Sequence, residues 1–275
     1  MSTRRTVFYL SDRTGITVEM LGRSLISQFE GISWKEENIP FLDSEDKAIK
    51  AKKKINVAAE RDDAKPLIFS TLLDPVIFDR IESSKGILFD FFETFLNPME
   101  QVLKQPSSHI MGRSHSMQSS GSYDARMSAI NFSLNNDDGI STNHYDEADI
   151  ILIGVSRSGK TPTSLYFSML YGIPSANYPL TDDDMDRDQL PFCLKPYKHK
   201  IYGLTISAEQ LQRIRQERRP NSRYSSYEQC KKELDWQVDM YQRENIPFLD
   251  TSSISIEEIA TRIIQKAKLK RRLYG

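Results

Sequence analysis

The stretch Gly154-Val155-Ser156-Arg157-Ser158-Gly159-Lys160-Thr161 constrains this chain more than any other, because it fits G-x-x-x-x-G-K-[ST] without a mismatch. An apolar segment, Ile150 to Ile153, leads into it. Beyond it, Pro162 opens a segment with Leu165, Met169 and Leu170 at helical spacing, ending near Gly172. A strand, a glycine turn and a helix in that order form the repeating unit of α/β sheets. In this geometry the backbone N–H groups of the turn and the helix N-terminus wrap a phosphate. Lys160 adds a point charge, and the Thr161 hydroxyl is placed to ligate Mg²⁺. Gly154 and Gly159 allow the backbone angles that the turn needs. The alternative is a Gly-Ser turn that merely carries a lysine.

The N-terminal half shows the same alternation. Val7-Phe8-Tyr9-Leu10 reads as a buried strand and Ser11-Asp12-Arg13-Thr14-Gly15 as a polar turn, and Val18, Leu21, Leu25 and Ile26 mark a helical face. Pro40-Phe41-Leu42 predicts a second short strand, the Lys-rich stretch Glu45 to Arg61 a solvated helix, and Leu67 to Ser70 a third strand. The expected fold is α/β, with a P-loop-containing sheet in the C-terminal half packed with a second α/β N-terminal half. Pro106 to Ser122 is rich in Ser, Gly, Met and His with no apolar period, which suits a mobile loop. Tyr123 to Leu134 predicts a helix and Asn135 to Gly139 a turn. The expected regions are therefore 1–105, an N-terminal α/β region; 106–148, the loop and a connecting helix; and 149–275, a nucleotide-binding region. Ser207-Ala208-Glu209-Gln210 and Ser255-Ile256-Glu257-Glu258 are capping boxes that open two further helices. The string Asn38-Ile39-Pro40-Phe41-Leu42-Asp43 recurs as Asn245-Ile246-Pro247-Phe248-Leu249-Asp250, hinting at equivalent strands in two related halves.

Charge narrows the partners. With 37 basic and 38 acidic residues the chain has no overall field to attract nucleic acid or an anionic membrane. The short apolar run after the basic N-terminus is too short for a signal peptide or a membrane span, which predicts a cytoplasmic protein. Cys193 and Cys230, the two cysteines, fit a reducing compartment and structural roles. A P-loop enzyme commonly needs a further acid for its metal or for the attacking hydroxyl. Asp12, at a strand end, is the leading candidate for the base, with helix capping as its plainer reading. Asp182, Asp183, Asp184 and Asp186 follow the expected strand Ala176 to Pro179. Asp183 is paired with Thr161 as the expected metal set, against a solvated acidic loop. Asp137-Asp138-Gly139 reads equally well as a turn. Arg218, Arg219 and Arg223 form a fork that suits a phosphate or, equally, a cationic helix end. The tail Lys266 to Arg272 reads as solvated, and His109, His115, His144 and His199 lack metal-ligand spacing.

Several of these segments together resemble a bacterial family of regulatory proteins that act on phosphoenolpyruvate synthase and on pyruvate phosphate dikinase. The likeness rests on Val7 to Thr17, Gly154 to Tyr166, Ala176 to Leu180, Tyr202 to Ile206, Glu217 to Tyr224 and Ser255 to Ala260. It implies a bifunctional enzyme that uses ADP to phosphorylate a threonine beside the catalytic histidine of its target, inactivating it. It also implies reversal by phosphorolysis, with inorganic phosphate as co-substrate and pyrophosphate as product. The resemblance places nucleotide binding on Gly154 through Thr161, with Mg²⁺ as the expected metal. Thr163-Ser164-Leu165-Tyr166 and Tyr178-Pro179-Leu180 favour phosphoenolpyruvate synthase over the dikinase as protein partner. Asn131 and Asn136 depart from the acid and the histidine of the family pattern, and Ser107 to Ser122 matches it poorly. The two rival readings are a P-loop enzyme acting on a small molecule and a nucleotide-gated binding module. Two α/β halves would suit a homodimer without requiring one.

Overall fold

Alternate residues of the first strand are buried on opposite sides. Phe8 and Leu10 pack with Ala48, Ala51, Ile55, Ile77 and Ile81, whereas Val7 and Tyr9 meet Val18, Ile26 and Phe69. A strand buried on both faces must lie inside a parallel sheet covered by helices, which is why it reads as a continuous apolar run. The computed structural model, which describes residues 3–108, 120–139 and 142–273, has this arrangement twice. The chain divides into two compact units, Met1–Met117 and Gln118–Gly275.

The first unit runs β1 (Thr3–Ser11), α1 (Ile16–Ile26), β2 (Ile32–Ile39), α2 (Glu45–Asp62), β3 (Leu67–Thr71), α3 (Pro75–Glu82), β4 (Ile87–Asp90) and α4 (Phe91–Leu103). Its strands lie in the order β2-β1-β3-β4, every pairing parallel. The helix predicted from the Lys-rich stretch is α2. Its lysines surround a narrow buried stripe of Ala48, Ala51, Ile55 and Ala58, so small residues allow close packing while the long cations stay in water.

The strand expected at Pro40-Phe41-Leu42 is not formed, because the sheet segment is Ile32–Ile39 just before it. Pro40 has no N–H to give to a ladder. Phe41 turns to a φ of 54° and is exposed, and its N–H is taken by the Arg13 carbonyl at 2.7 Å. Leu42 is then buried beneath the loop that follows β1, with its N–H on the Ser11 carbonyl at 2.9 Å.

The second unit begins with α5 (Ser120–Asn135) and β5 (Ile150–Val155), then α6 (Lys160–Tyr166), which continues as a π-helical turn, Phe167–Tyr171, capped by Gly172. There follow β6 (Ser175–Leu180), α7 (Asp182–Arg187), a 3₁₀ segment Phe192–Lys200, β7 (Ile201–Thr205), α8 (Ala208–Arg218), a 3₁₀ turn Arg223–Ser225, α9 (Tyr227–Arg243), β8 (Phe248–Asp250) and α10 (Ile256–Ala267). The order is β6-β5-β7-β8, again all parallel. Ile151 and Ile153 pack on one face with Tyr145, Met240 and Tyr241. Ile150 and Leu152 pack on the other with Phe167, Ile259 and Ile263. Each such side chain taken from water contributes about 1.5–3 kcal/mol. The predicted capping serines work as expected, since Ser207 accepts from the N–H of Gln210 and Ser255 from that of Glu258.

The two sheets share one strand order, but the echoed string does not mark equivalent strands. Its first copy begins at the end of β2, which pairs with the leading strand β1, and its second copy ends in β8, an edge strand that pairs with β7 and not with the leading strand β5. By order, β2 corresponds to β6 and β8 to β4. In each sheet the crossovers diverge between the leading strand and its second neighbour, β1 and β3 or β5 and β7, and crevices at such points are where parallel sheets bind ligands. Most of the loop expected over Pro106 to Ser122, with His109 and His115, lies outside the described residues. Among the described residues, no helix is long and apolar enough to cross a membrane.

Candidate functional site

In the second unit the loop Gly154 to Gly159 leaves the end of β5 at the switch point. Gly154 is there for want of space: a Cβ on it would stand 2.5 Å from the Leu204 carbonyl oxygen of β7. Gly159 is there for conformation, as it caps α6 at φ 90° and ψ 9° with nothing within 4 Å of where a Cβ would be. Between them Arg157 also takes a left-handed φ of 77°, an unfavourable angle for a residue with a side chain, and its guanidinium is exposed. The N–H of Val155 is held by the buried Gln237 amide at 2.9 Å. Ser158 is fully buried, and its Oγ has no hydrogen-bond partner.

Lys160 begins α6 and is 4% exposed. Its Nζ donates to the Val155 carbonyl at 3.0 Å, closing the loop on itself. Burial brings its pKa down to about 8, against the upward pull of Asp138 and Asp137. An anion entering the loop would offer this cation the counter-charge it lacks. The Thr161 hydroxyl donates to the Asp137 carboxylate, 3.0 and 3.1 Å from its two oxygens, and accepts from Asn177 Nδ2 at 3.0 Å.

A buried arginine supports the loop from behind. Arg215 of α8 is 1% exposed, pairs with Glu233 of α9 at 2.6 Å, stacks on the Tyr224 ring at 4.3 Å and donates to the Ser156 carbonyl at 3.2 Å. Tyr224 in turn meets the Ser156 hydroxyl at 3.0 Å. The sequence fork Arg218, Arg219 and Arg223 is exposed. The arginine that reaches the loop is instead Arg215, one turn beyond the buried Leu211 on the inward face of α8.

The acids divide sharply by surroundings. Asp183 is exposed in the first turn of α7 and makes no hydrogen bond to Thr161. Its neighbour Asp184 is buried as a helix cap, accepting from the Thr181 N–H and hydroxyl, both at 3.0 Å. Asp137, which the sequence offers equally as a candidate acid and as part of a turn, is the carboxylate that meets Thr161. The turn is laid along β6 by two backbone hydrogen bonds of 3.0 Å, Gly139 N–H to the Asn177 carbonyl and Asn177 N–H to the Asn136 carbonyl.

Asp12 stands in the first unit, at the end of β1. Gly15, not Asp12, caps α1, at φ 77° and ψ 0°, so the loop Ser11 to Gly15 ends as Val155 to Gly159 does. Asp12 is 7% exposed, its Oδ2 has no partner, and burial pushes its pKa upward, against the pull of Arg13. Cys193 and Cys230 are free thiols. His144 pairs with Glu147 at 3.0 Å, and among the described residues no group of three or more His, Cys, Asp or Glu side chains is gathered to hold a metal.

The family model for kinase/pyrophosphorylases matches residues 7–264. Relatives carrying the provisional name phosphoenolpyruvate synthase regulatory protein extend over the whole length. One from Marinobacter nauticus is 51% identical, covering 98% of this chain and 99% of its own. One from Alkalilimnicola ehrlichii is 50% identical over 98% of each chain, and one from Nitrosomonas europaea 48% identical over 99% of each. Matched in this way from the first strand to the last helix, the chain belongs to the kinase/pyrophosphorylase family.

Proposed function

We propose that this protein reversibly inactivates phosphoenolpyruvate synthase, phosphorylating a threonine beside the synthase's catalytic histidine with ADP and removing the mark with inorganic phosphate. The observation that carries the reading is the loop Gly154 to Thr161. It is an open glycine turn at a helix N-terminus, with a buried lysine short of a counter-charge and a buried serine hydroxyl short of a partner. Family membership and the names of the relatives agree with it.

In the forward reaction the threonine hydroxyl attacks the terminal phosphorus of ADP. The bond to the bridging oxygen breaks, AMP leaves, and the hydroxyl proton passes to a base. In the reverse reaction an oxygen of inorganic phosphate attacks the phosphothreonine, forming pyrophosphate and returning the proton to the threonine oxygen. The backbone of Val155 to Gly159 binds and orients the phosphate groups. Lys160 neutralises charge that spreads over the transferring group, where the absence of competing water strengthens its effect. The oxygen donors beside the loop, Thr161 and Asp137, suit Mg²⁺, which when bound offsets the negative charge of the phosphates. Asp12 is the proposed base, since burial pushes its pKa upward and its Oδ2 has no hydrogen-bond partner.

The test is mass spectrometry of phosphoenolpyruvate synthase incubated with this protein and ADP, then with phosphate after ADP is removed. The expected result is a phosphothreonine beside the catalytic histidine, lost on adding phosphate with release of pyrophosphate. No mark on a competent synthase would overturn the target, and modification of pyruvate phosphate dikinase instead would reassign it.

A further inference from the structure

We propose that Arg157 is a further catalytic residue of the loop, its guanidinium binding the phosphoryl group in transit between ADP and the target threonine. The proposal rests on the nucleotide reading of Gly154 to Thr161 and extends it from the loop's backbone to a side chain within it. The first observation is conformational. The Ser158 N–H donates to the Val155 carbonyl at 3.3 Å, so Val155 to Ser158 form a turn, and its third residue, Arg157, takes a φ of 77°. Glycine is the usual occupant of such a place, because a Cβ there crowds the backbone. Neighbours hold the angle from behind: the Ser156 carbonyl accepts from Arg215, and the Ser156 hydroxyl meets Tyr224. Glycine would form this turn with less strain, so an arginine held in it points to a use for its side chain.

The second observation concerns charge. Lys160 is buried with its Nζ on the Val155 carbonyl, and Arg215 is paired with Glu233. Arg157 is exposed, and among the described residues its guanidinium enters no hydrogen bond or ion pair. Phosphorolysis brings together two phosphate groups of about −1.5 to −2 charges each, more than one buried lysine offsets. A planar guanidinium binds two oxygens of such a group at once, and an exposed one is open to a threonine presented by another protein. In the forward step the threonine oxygen bonds to the β-phosphorus as the bond to the AMP oxygen breaks, and the hydroxyl proton passes to the base. In the reverse step a phosphate oxygen bonds to that phosphorus as the threonine oxygen leaves and takes up the proton. Arg157 forms no covalent bond in either step and stays charged throughout. A solvated arginine without a role would account for the exposure but not for the left-handed angle.

Calorimetry of ADP, pyrophosphate and AMP on the full chain isolates this contact, because AMP lacks the group that is transferred. Arg157→Gly is expected to weaken ADP and pyrophosphate about tenfold or more while AMP stays within about twofold. Turnover on the synthase should fall about a hundredfold or more in both directions. The glycine relieves the angle, so this variant should melt about 2–4 °C above the wild type, which separates lost affinity from lost fold. Because glycine could also loosen the turn, Arg157→Asn, which tolerates a positive φ, provides a second arm and is expected to reproduce the loss. Guanidinium chloride at a sub-denaturing concentration should restore part of the turnover of both variants. ADP, pyrophosphate and AMP weakened alike, or a preference for ADP over AMP kept in both variants, would overturn the role of Arg157 and leave the nucleotide reading standing. A wild type that binds none of the three would defeat the nucleotide reading, and the proposal with it.

Discussion

Removing the charge of Lys160 should make the ligand-free protein more stable, although the same residue is assigned to phosphate. The ammonium is 4% exposed, and its pKa falls from 10.5 to about 8. At about 1.4 kcal/mol per pH unit, keeping it charged in the fold costs about 3 kcal/mol at pH 7. Lys160→Met preserves the stem and removes the charge, but leaves the Val155 carbonyl without its donor, a loss of about 1 kcal/mol. The net expectation is a gain of about 2 kcal/mol. The sign follows from proton counting. Between pH 8 and 10.5 the unfolded lysine is protonated and the folded one is not, so wild-type stability rises with pH across that window. The advantage of Lys160→Met is therefore complete below pH 8 and disappears toward pH 10.5. Two units require a local reporter. The chain has two tryptophans, so Trp34→Phe leaves Trp236 of α9 to follow the second unit by fluorescence. In urea, the midpoint at pH 7 should move up by about 1 M. A Lys160→Met variant less stable than its parent at pH 7, or a difference that does not change up to pH 10, would refute the reasoning.

The other predictions concern the supports of the loop and the proposed base. Gly154→Ala drives a Cβ against the Leu204 carbonyl and should cost the second unit about 1–3 kcal/mol and distort the loop, whereas Gly159→Ala meets open space and should cost only the left-handed backbone strain, about 1–2 kcal/mol. Thermal melting should rank Gly154→Ala lower, and the reverse order would contradict the steric argument. Arg215→Met leaves Glu233 buried without its partner and should destabilise the second unit by about 3–5 kcal/mol. Adding Glu233→Gln should recover a large part, and additive losses in the double variant would show that the pair is not coupled. Asp12→Asn should slow phosphotransfer in both directions and remove the acid limb of the pH–rate profile, with ADP affinity by calorimetry unchanged. Full activity in both directions would eliminate Asp12 as the base.

The sequence by itself determined the elements whose cause is local. Gly154 to Thr161 has its strand before and helix after, the capping serines start their helices, and the buried strand Val7 to Leu10 lies inside its sheet, since periodicity, capping and backbone freedom act over a few residues. The echoed string at Asn38 and Asn245 misled because identical words do not fix sheet position. That depends on crossover connections, and the repeat actually present is the strand order. The tertiary structure alone decided which acid stands where. Asp183 and Asp137 are equally acidic on paper, but one opens a solvated helix and the other is carried to Thr161 by a turn paired with β6. Arg215 is likewise one of three arginines in its helix until packing seals it behind the loop with Glu233. Burial and long-range pairing, which set the charge of Lys160 and leave Asn177 with an unpaired oxygen, are properties of neighbours brought together from distant parts of the chain, and no local pattern encodes them.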